Sequence, residues 1–504
     1  MAGREYGHLG RRPGKRCIPR HSGIRSPAGG CRAQGHAQGS AGHRLFPLAL
    51  GQSGALGGPE RNQVFVTARG TVSTFLRHTV VSDSGKILVV NVVGAGLAFV
   101  THLLFARWMS VESFGIYVYS LSWLNVLTVL MQVGLNVAAV RFIAEYRAAR
   151  NHWAIARLVR FSTWTVIVLG GVVVAAGALL AQRSTGGGDT EMYRTLLAML
   201  ALTVVLGLFQ QRMAILQGFE KVLESQAFHE VLRPLMVLGS VFAATFLAPL
   251  SSTVAMGLNL VLTALLLAAI VAYSRRFLGT TAAPGAGGVD PRPGAWLRIS
   301  LPYLVISGVG ILLTQIDVLI IGTLLGPEQA GLYAPAAKVA MLIVFPAMAI
   351  RARTAPLLSR LHAEGKPAPL QRTISVATAA ALVTGLGAAL VIVSGRHFIL
   401  GLFGDAFLAG QVIVCILALG YVVFAASAAV ETYLLMGPFE HINTATLIAT
   451  LIVNVALNFA LIPVYGIMGA AIATCASVLF RSATSCLIVY HKTGILPFAA
   501  MPRT

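Results

Sequence analysis

Charge is what this chain has least of. Only 11% of its 504 residues are Asp, Glu, Lys or Arg, where a soluble domain carries roughly 25%. That is too little to cover a water-facing surface, and it points to an integral membrane protein. Acid is scarcer still. The chain has 17 Asp and Glu against 38 Lys and Arg, and its only aspartates are Asp83, Asp189, Asp290, Asp317 and Asp405. A membrane glycosyltransferase or phosphotransferase needs paired carboxylates for a metal or a base, and no such pair is visible. Walker, HExxH, GxSxG and DxD patterns are also absent, so neither enzymatic chemistry nor a cofactor is expected. The cysteines are Cys17, Cys31, Cys415, Cys475 and Cys486, without CxxC or Cys/His metal spacing. They read as small apolar side chains, and no metal is expected.

What the chain has is apolar length. Windows of about 20 apolar residues, enough to cross a bilayer, cover 87–106, 114–138, 159–181, 195–217, 227–248 and 252–274, then 299–321, 333–355, 373–394, 411–435, 442–462 and 466–490. Such continuous runs do not alternate with period two, which excludes membrane strands. The expected fold class is an all-α integral membrane protein of about 12 transmembrane helices. A stretch occurs twice: Ser110 to Tyr117 and Gly326 to Tyr333 share Glu, Gly and Tyr (Glu112, Gly115, Tyr117; Glu328, Gly331, Tyr333) at an offset of 216 residues. Each copy joins two membrane-length runs. This reads as a tight interfacial turn, with Gly permitting the turn and Tyr at the lipid–water boundary. Two copies imply two six-helix lobes related by a parallel internal repeat.

The domain reading follows. Residues 1–85 form a disordered basic tail, with a start site further along the chain as the alternative; 86–274 form the first lobe and 275–297 a Gly/Pro-rich linker. Residues 298–492 form the second lobe and 493–504 a short C-terminal tail. The net charge of +21 reflects membrane topology rather than nucleic-acid binding. With the N-terminus inside, inner connections carry Arg141, Arg147, Arg150, Arg157, Arg160, Lys221, Arg275, Arg276, Arg292, Arg298, Arg360, Lys366 and Arg372. Outer connections carry only Arg107, Arg183, Arg194 and Arg396. The positive-inside rule then puts both termini in the cytoplasm.

Ionisable residues inside membrane helices are costly and default to function. His102, Asp317 and Lys338 are read as sharing one depth, with Asp317 and Lys338 as an ion pair or part of a polar layer facing a cavity. A structural pair between two helices is the equal alternative. Arg481 is the deepest charge; it would face a hydrated cavity and an anion, or bond to helix carbonyls. Arg141, Arg212, Arg233, Arg351 and Arg353 lie near inner helix ends, with Glu145, Glu230 and Glu431. As a set the cations suit a phosphate-bearing head group; singly, each is better read as snorkelling to the interface. Amides such as Gln132, Gln315, Asn259, Asn454 and Asn458 suit either helix–helix bonding or sugar hydroxyls.

Several stretches together resemble the oligosaccharide flippases of the multidrug/oligosaccharidyl-lipid/polysaccharide exporter superfamily. They are Arg107 to Tyr117, Gly134-Leu135-Asn136, Arg141 to Tyr146, Leu216 to Glu220, Gln315-Ile316-Asp317, Gly331-Leu332-Tyr333, Leu402 to Phe407 and Asn454 to Ala473. Their order and spacing span roughly 87–495. The resemblance implies a MATE-like bundle whose lobes rock around a central cavity. It implies transport of a polyprenyl-diphosphate-linked oligosaccharide from inner to outer leaflet of a bacterial-type cytoplasmic membrane. Inward Arg and Lys would offset the diphosphate charge. The implied partners are the lipid-linked oligosaccharide, membrane lipids, and polysaccharide polymerase and export machinery. A multidrug or cation antiporter of the same superfamily is the leading alternative. A non-transporting accessory protein of polysaccharide assembly is another. A polymerase would need a substantial outer loop, and a peptidoglycan-precursor flippase two further C-terminal helices.

Overall fold

A computed structural model describes residues 83–184, 190–246, 249–278, 293–437 and 439–495. The tail before residue 83, the linker centre at 279–292 and residues 496–504 lie outside the described residues. The described part is helical, without a strand, and 12 of its helices are long and apolar enough to cross a membrane. In hydrocarbon every backbone polar group must be satisfied within its own segment, and helices do this.

The first half runs α1 (Asp83–Trp108), α2 (Val111–Gln132), α3 (Leu135–Ala148), α4 (His152–Ser184) and α5 (Glu191–Gly218). Next come α6 (Val222–Gln226), a π-helical segment (Ala227–Leu232), α7 (Arg233–Thr245) and α8 (Ser252–Leu278). The second half runs α9 (Pro293–Leu324), α10 (Pro327–Met341), a 3-10 turn (Leu342–Val344), α11 (Phe345–Ala363), α12 (Pro367–Ser394) and α13 (Arg396–Gly401). It ends with α14 (Gln411–Met436), α15 (Glu440–Tyr465) and α16 (Ile467–Thr493). Within the first half α5 packs most closely on α8, and within the second α14 and α15 both pack on α16. Side chains such as Val172, Leu390 and Val391 face outward, where lipid replaces a polar surface.

The helices alternate direction, so the molecule has two faces. We call the end bearing the two copies of the repeated motif the turn face. The other, carrying Arg141, Arg147, Arg150, Arg157 and Arg160, is the basic face. One helix serves both lobes. The first turns of α9 pack onto α3 and α4: Trp296 is buried beside Leu135, Phe142, Ile155 and Leu158, and its indole N–H donates to Tyr146 Oη at 2.9 Å. Further along, α9 packs on α10 and α15 of the second lobe.

Two expectations change. The apolar run 114–138 is not one helix: α2 stops at Gln132, Val133 and Gly134 take left-handed φ values of 51° and 70°, and α3 starts again at Leu135. At Gly134 a Cβ would lie 2.3 Å from the Ser300 carbonyl oxygen of α9, so the break lets the two backbones cross. The repeated motif is not an interfacial turn with an aromatic at the boundary. Tyr117 and Tyr333 are buried, at 4% and 1% exposure. Gly115 and Gly331 lie inside α2 and α10. The turning is done by Ser110, whose Oγ caps the Ser113 N–H, and by Gly326 at φ 95° before Pro327. Glu112 and Glu328 occupy first helical turns, where the helix dipole favours acid.

Candidate functional site

The two copies of the motif meet each other. A Cβ on Gly331 would fall 2.7 Å from Gly115 Cα, and one on Gly115 would fall 2.2 Å from the Pro327 carbonyl oxygen. Any side chain here would hold α2 and α10 apart, so the glycines are what let the lobes close at the turn face. Around them Phe114 packs edge-on against Phe407 and Phe99 against Phe403, each with centroids 5.6 Å apart. Arg107, at the end of α1, donates from Nε to the Leu402 carbonyl at 2.8 Å. Each of these contacts joins the first lobe to the second, and together they form a seal.

Away from this seal the lobes join along α2, α9 and α10, but α1 meets α10 only slightly and has no extensive contact with α11. Beyond the seal α1 therefore contributes little to the contact between the lobes. His102 of α1 and Lys338 of α10 interact electrostatically across this boundary. Lys338 sits in the last turn of α10, just before the 3-10 segment and Pro346. His102 Nδ1 bonds the Ala98 carbonyl at 2.8 Å, and Nε2 is buried without a partner among the described residues. Lys338 makes no salt bridge with Asp317. The ion pair considered from sequence does not form, because Asp317 is held inside the second lobe.

There its carboxylate accepts from three helices. Tyr333 Oη (α10) donates to Oδ2 at 2.9 Å, Asn458 Nδ2 (α15) to Oδ1 at 2.9 Å, and Thr474 Oγ1 (α16) to Oδ2. Asn454 binds Thr474 and Ser477 beside it, and Asn458 Oδ1 remains without a partner. The first lobe has a matching core of opposite sign. Tyr117 lies in hydrogen-bonding reach of Asn259 and beside Arg233. Arg233 donates to Asn259 Oδ1 at 3.2 Å and Thr263 Oγ1 at 3.3 Å. The π-helical segment directly before Arg233, followed by Pro234, offsets this residue from the regular α6 register. Glu230 bonds His229 at 3.0 Å one turn earlier.

The remaining candidates scatter. Arg481 is paired: Nη2 reaches Glu431 Oε2 at 2.7 Å, its guanidinium lies 5.5 Å over the Phe424 ring, and Arg351 is close enough to interact electrostatically with both charges. Arg212 donates to Thr163 at 3.3 Å, and Gln132 to Gln210 at 2.8 Å. Arg141 forms a surface pair with Glu145 at 2.8 Å. Arg353 is exposed on α11, and Gln315 turns away from Asp317 to the neighbouring Thr314. Thr474 and Ser477 were not singled out from sequence. Their i, i+3 spacing, facing the i, i+4 pair Asn454 and Asn458, was the available signal. Glu191 was also overlooked. It accepts from Ser252 N and Oγ (2.8 and 2.6 Å) and Ser113 Oγ (3.1 Å), binding three helices at the turn face.

Comparison with known proteins bears on this geometry. The family model described as polysaccharide biosynthesis protein matches residues 80–362, and the MatE model matches 302–459. The probable low-salt glycan biosynthesis flippase Agl15 of Haloferax volcanii is 23% identical over 414 residues, covering 78% of this chain and 80% of that protein. Among solved structures, the inward-facing conformation of a multidrug resistance MATE family transporter aligns with a TM-score of 0.63 and 15% identity, over 79% of this chain and 98% of that one. The lipid II flippase MurJ in an inward closed conformation gives 0.61 and 12%, over 80% and 87%. Both share the fold.

Proposed function

The chain belongs to the polysaccharide biosynthesis protein family, and on that premise we propose that it moves a polyprenyl-diphosphate-linked oligosaccharide across the bilayer by alternating access. It is a multi-pass membrane protein of the flippase and transporter type. The observation that carries the proposal is an asymmetry. The lobes are sealed by backbone contact at the turn face, while beyond that seal α1 makes few contacts with the second lobe, and there lie Lys338 and His102, an amine without a carboxylate partner among the described residues and an imidazole with a buried nitrogen that has no partner among them. A diphosphate entering from that side would supply the missing negative charge and acceptor oxygens. Its lipid tail would stay in the bilayer while the sugars pass between the lobes. The basic face is cytoplasmic in this reading, in keeping with the positive-inside rule, and transport runs from that leaflet to the other without enzymatic chemistry.

The test is the leaflet location of the cargo. In cells lacking the protein, lipid-linked glycan labelled only from outside should fall and unlabelled intermediate accumulate, with re-expression reversing both. An unchanged distribution would contradict the proposal. A second reading, a cation-coupled antiporter, is favoured by one feature: Asp317, a membrane-buried carboxylate within the segment that the MatE model matches. The two readings separate with Asp317→Asn. In the antiporter this change abolishes resistance to cationic drugs; in the flippase such resistance does not depend on the protein at all.

A further inference from the structure

On the basic face, where α4 and α9 begin, lies a groove of about 540 Å³ whose walls include Trp153, Arg157, Arg160, Trp164 and Trp296. Four of these stand on one stripe of α4, since 153, 157, 160 and 164 are spaced by four, three and four residues. The Arg157 guanidinium lies 5.1 Å over the Trp153 ring. Arg160 is exposed and makes no salt bridge among the described residues. Across the groove Trp296 is fixed by its bond to Tyr146 and by Phe161, whose ring is 5.3 Å away. The stripe then continues into the membrane span as Trp164, Val168 and Val172, which are 59%, 58% and 61% exposed. Basic and aromatic groups at the water boundary thus run directly into an apolar track.

We propose that this groove binds an anionic phospholipid of the leaflet on the basic side. The phosphate lies between Arg157 and Arg160, the glycerol region against the tryptophans, and an acyl chain along Trp164, Val168 and Val172. Charge complementarity selects the anionic head, since guanidinium forks grip phosphate oxygens in pairs. The positive dipole ends of α4 and α9, both beginning here, act in the same direction. The apolar track selects a lipid over a soluble phosphate. One wall belongs to the first lobe, and the other is the helix that carries Asp317 into the second. A lipid seated here therefore braces the lobe arrangement in which the turn face is sealed. The site is separate from the cargo path, and its test reads binding rather than transport.

The full-length protein is reconstituted in phosphatidylcholine, and its tryptophan fluorescence is titrated with brominated phosphatidylglycerol or brominated phosphatidylcholine. Three of the five tryptophans line the groove. Phosphatidylglycerol should quench at a mole fraction about fivefold lower, as expected for a basic cluster near an anionic head group. The preference should shrink as salt is raised. The variant Arg157→Gln/Arg160→Gln should quench equally with both lipids, and Arg160→Gln alone, at an exposed position that leaves the fold intact, should lose part of the preference. Equal quenching of the unaltered protein, or an undiminished preference in the double variant, would overturn the proposal. So would loss of the preference on adding inorganic phosphate at the head-group concentration, which would assign the groove to a free anion.

Discussion

Tyr117 and Tyr333 occupy the same place in the two copies of one motif, yet the first hydroxyl lies beside a guanidinium and the second donates to a carboxylate. Each tyrosine reaches the polar core of its own lobe. The first core centres on Arg233, the second on Asp317, and both use an asparagine and a threonine, from α8 alone in the first and from α15 and α16 in the second. Moving back 216 positions from Asp317 reaches Thr101, whose hydroxyl merely bonds the Leu97 carbonyl of its own helix. The duplication thus preserved the parts that shape the bundle, namely the glycine contact and the inward tyrosine, and left the charges free to diverge. The second lobe centres on a buried carboxylate and the first on a half-buried guanidinium.

The difference between lobes can be broken most sharply at the level of Arg481. Glu431→Gln should destabilise the protein by about 3 kcal/mol, because it strands a guanidinium whose side chain is only 18% exposed. Glu431→Gln/Arg481→Met should recover most of that loss. In the first lobe Arg212→Gln should cost only about 1 kcal/mol, since Arg212 gives up a single hydroxyl bond. Thermal unfolding in detergent checks all three, and equal costs in the two lobes would count against unlike construction. The glycine contact, by contrast, should behave symmetrically. Gly115→Ala and Gly331→Ala should each cost about 1–3 kcal/mol by overpacking. Gly257→Ala, with nothing within 4 Å of its added Cβ, should be neutral or stabilising by about 1 kcal/mol. Two hydroxyl deletions compare the cores themselves. Tyr333→Phe, which removes a bond to a carboxylate, should cost about 2 kcal/mol, and Tyr117→Phe, with an amide as its partner, about 1 kcal/mol.

The fold was legible because hydrocarbon allows so few alternatives: twelve apolar runs of bilayer length can only be helices. The repeat was also legible, but its purpose was not. Gly-x-Tyr between two apolar runs looks the same whether the tyrosine faces lipid head groups or the inside of a lobe. Only the packing of α2 on α10 decides. The break at Val133 escaped notice because a left-handed valine leaves no mark on a hydropathy profile. Asp317 stood out from sequence as an intramembrane acid, while its partners did not, since Tyr333, Asn458 and Thr474 come from three helices up to 157 positions away. Lys338 and Asp317 look like partners in the sequence because their helices are consecutive. The Lys338 ammonium instead acts electrostatically on His102 of α1.

In the proposed transport cycle the turn face opens for cargo to leave, and Phe114 and Phe407 face each other across it. With the native cysteines replaced, Phe114→Cys/Phe407→Cys would be joined by a short, reductively cleavable thiol bridge and transfer of lipid-linked glycan between leaflets followed in vesicles. Transfer should stop when the bridge forms and resume when it is cleaved. Transfer at an unchanged rate through the bridged protein would contradict that cycle.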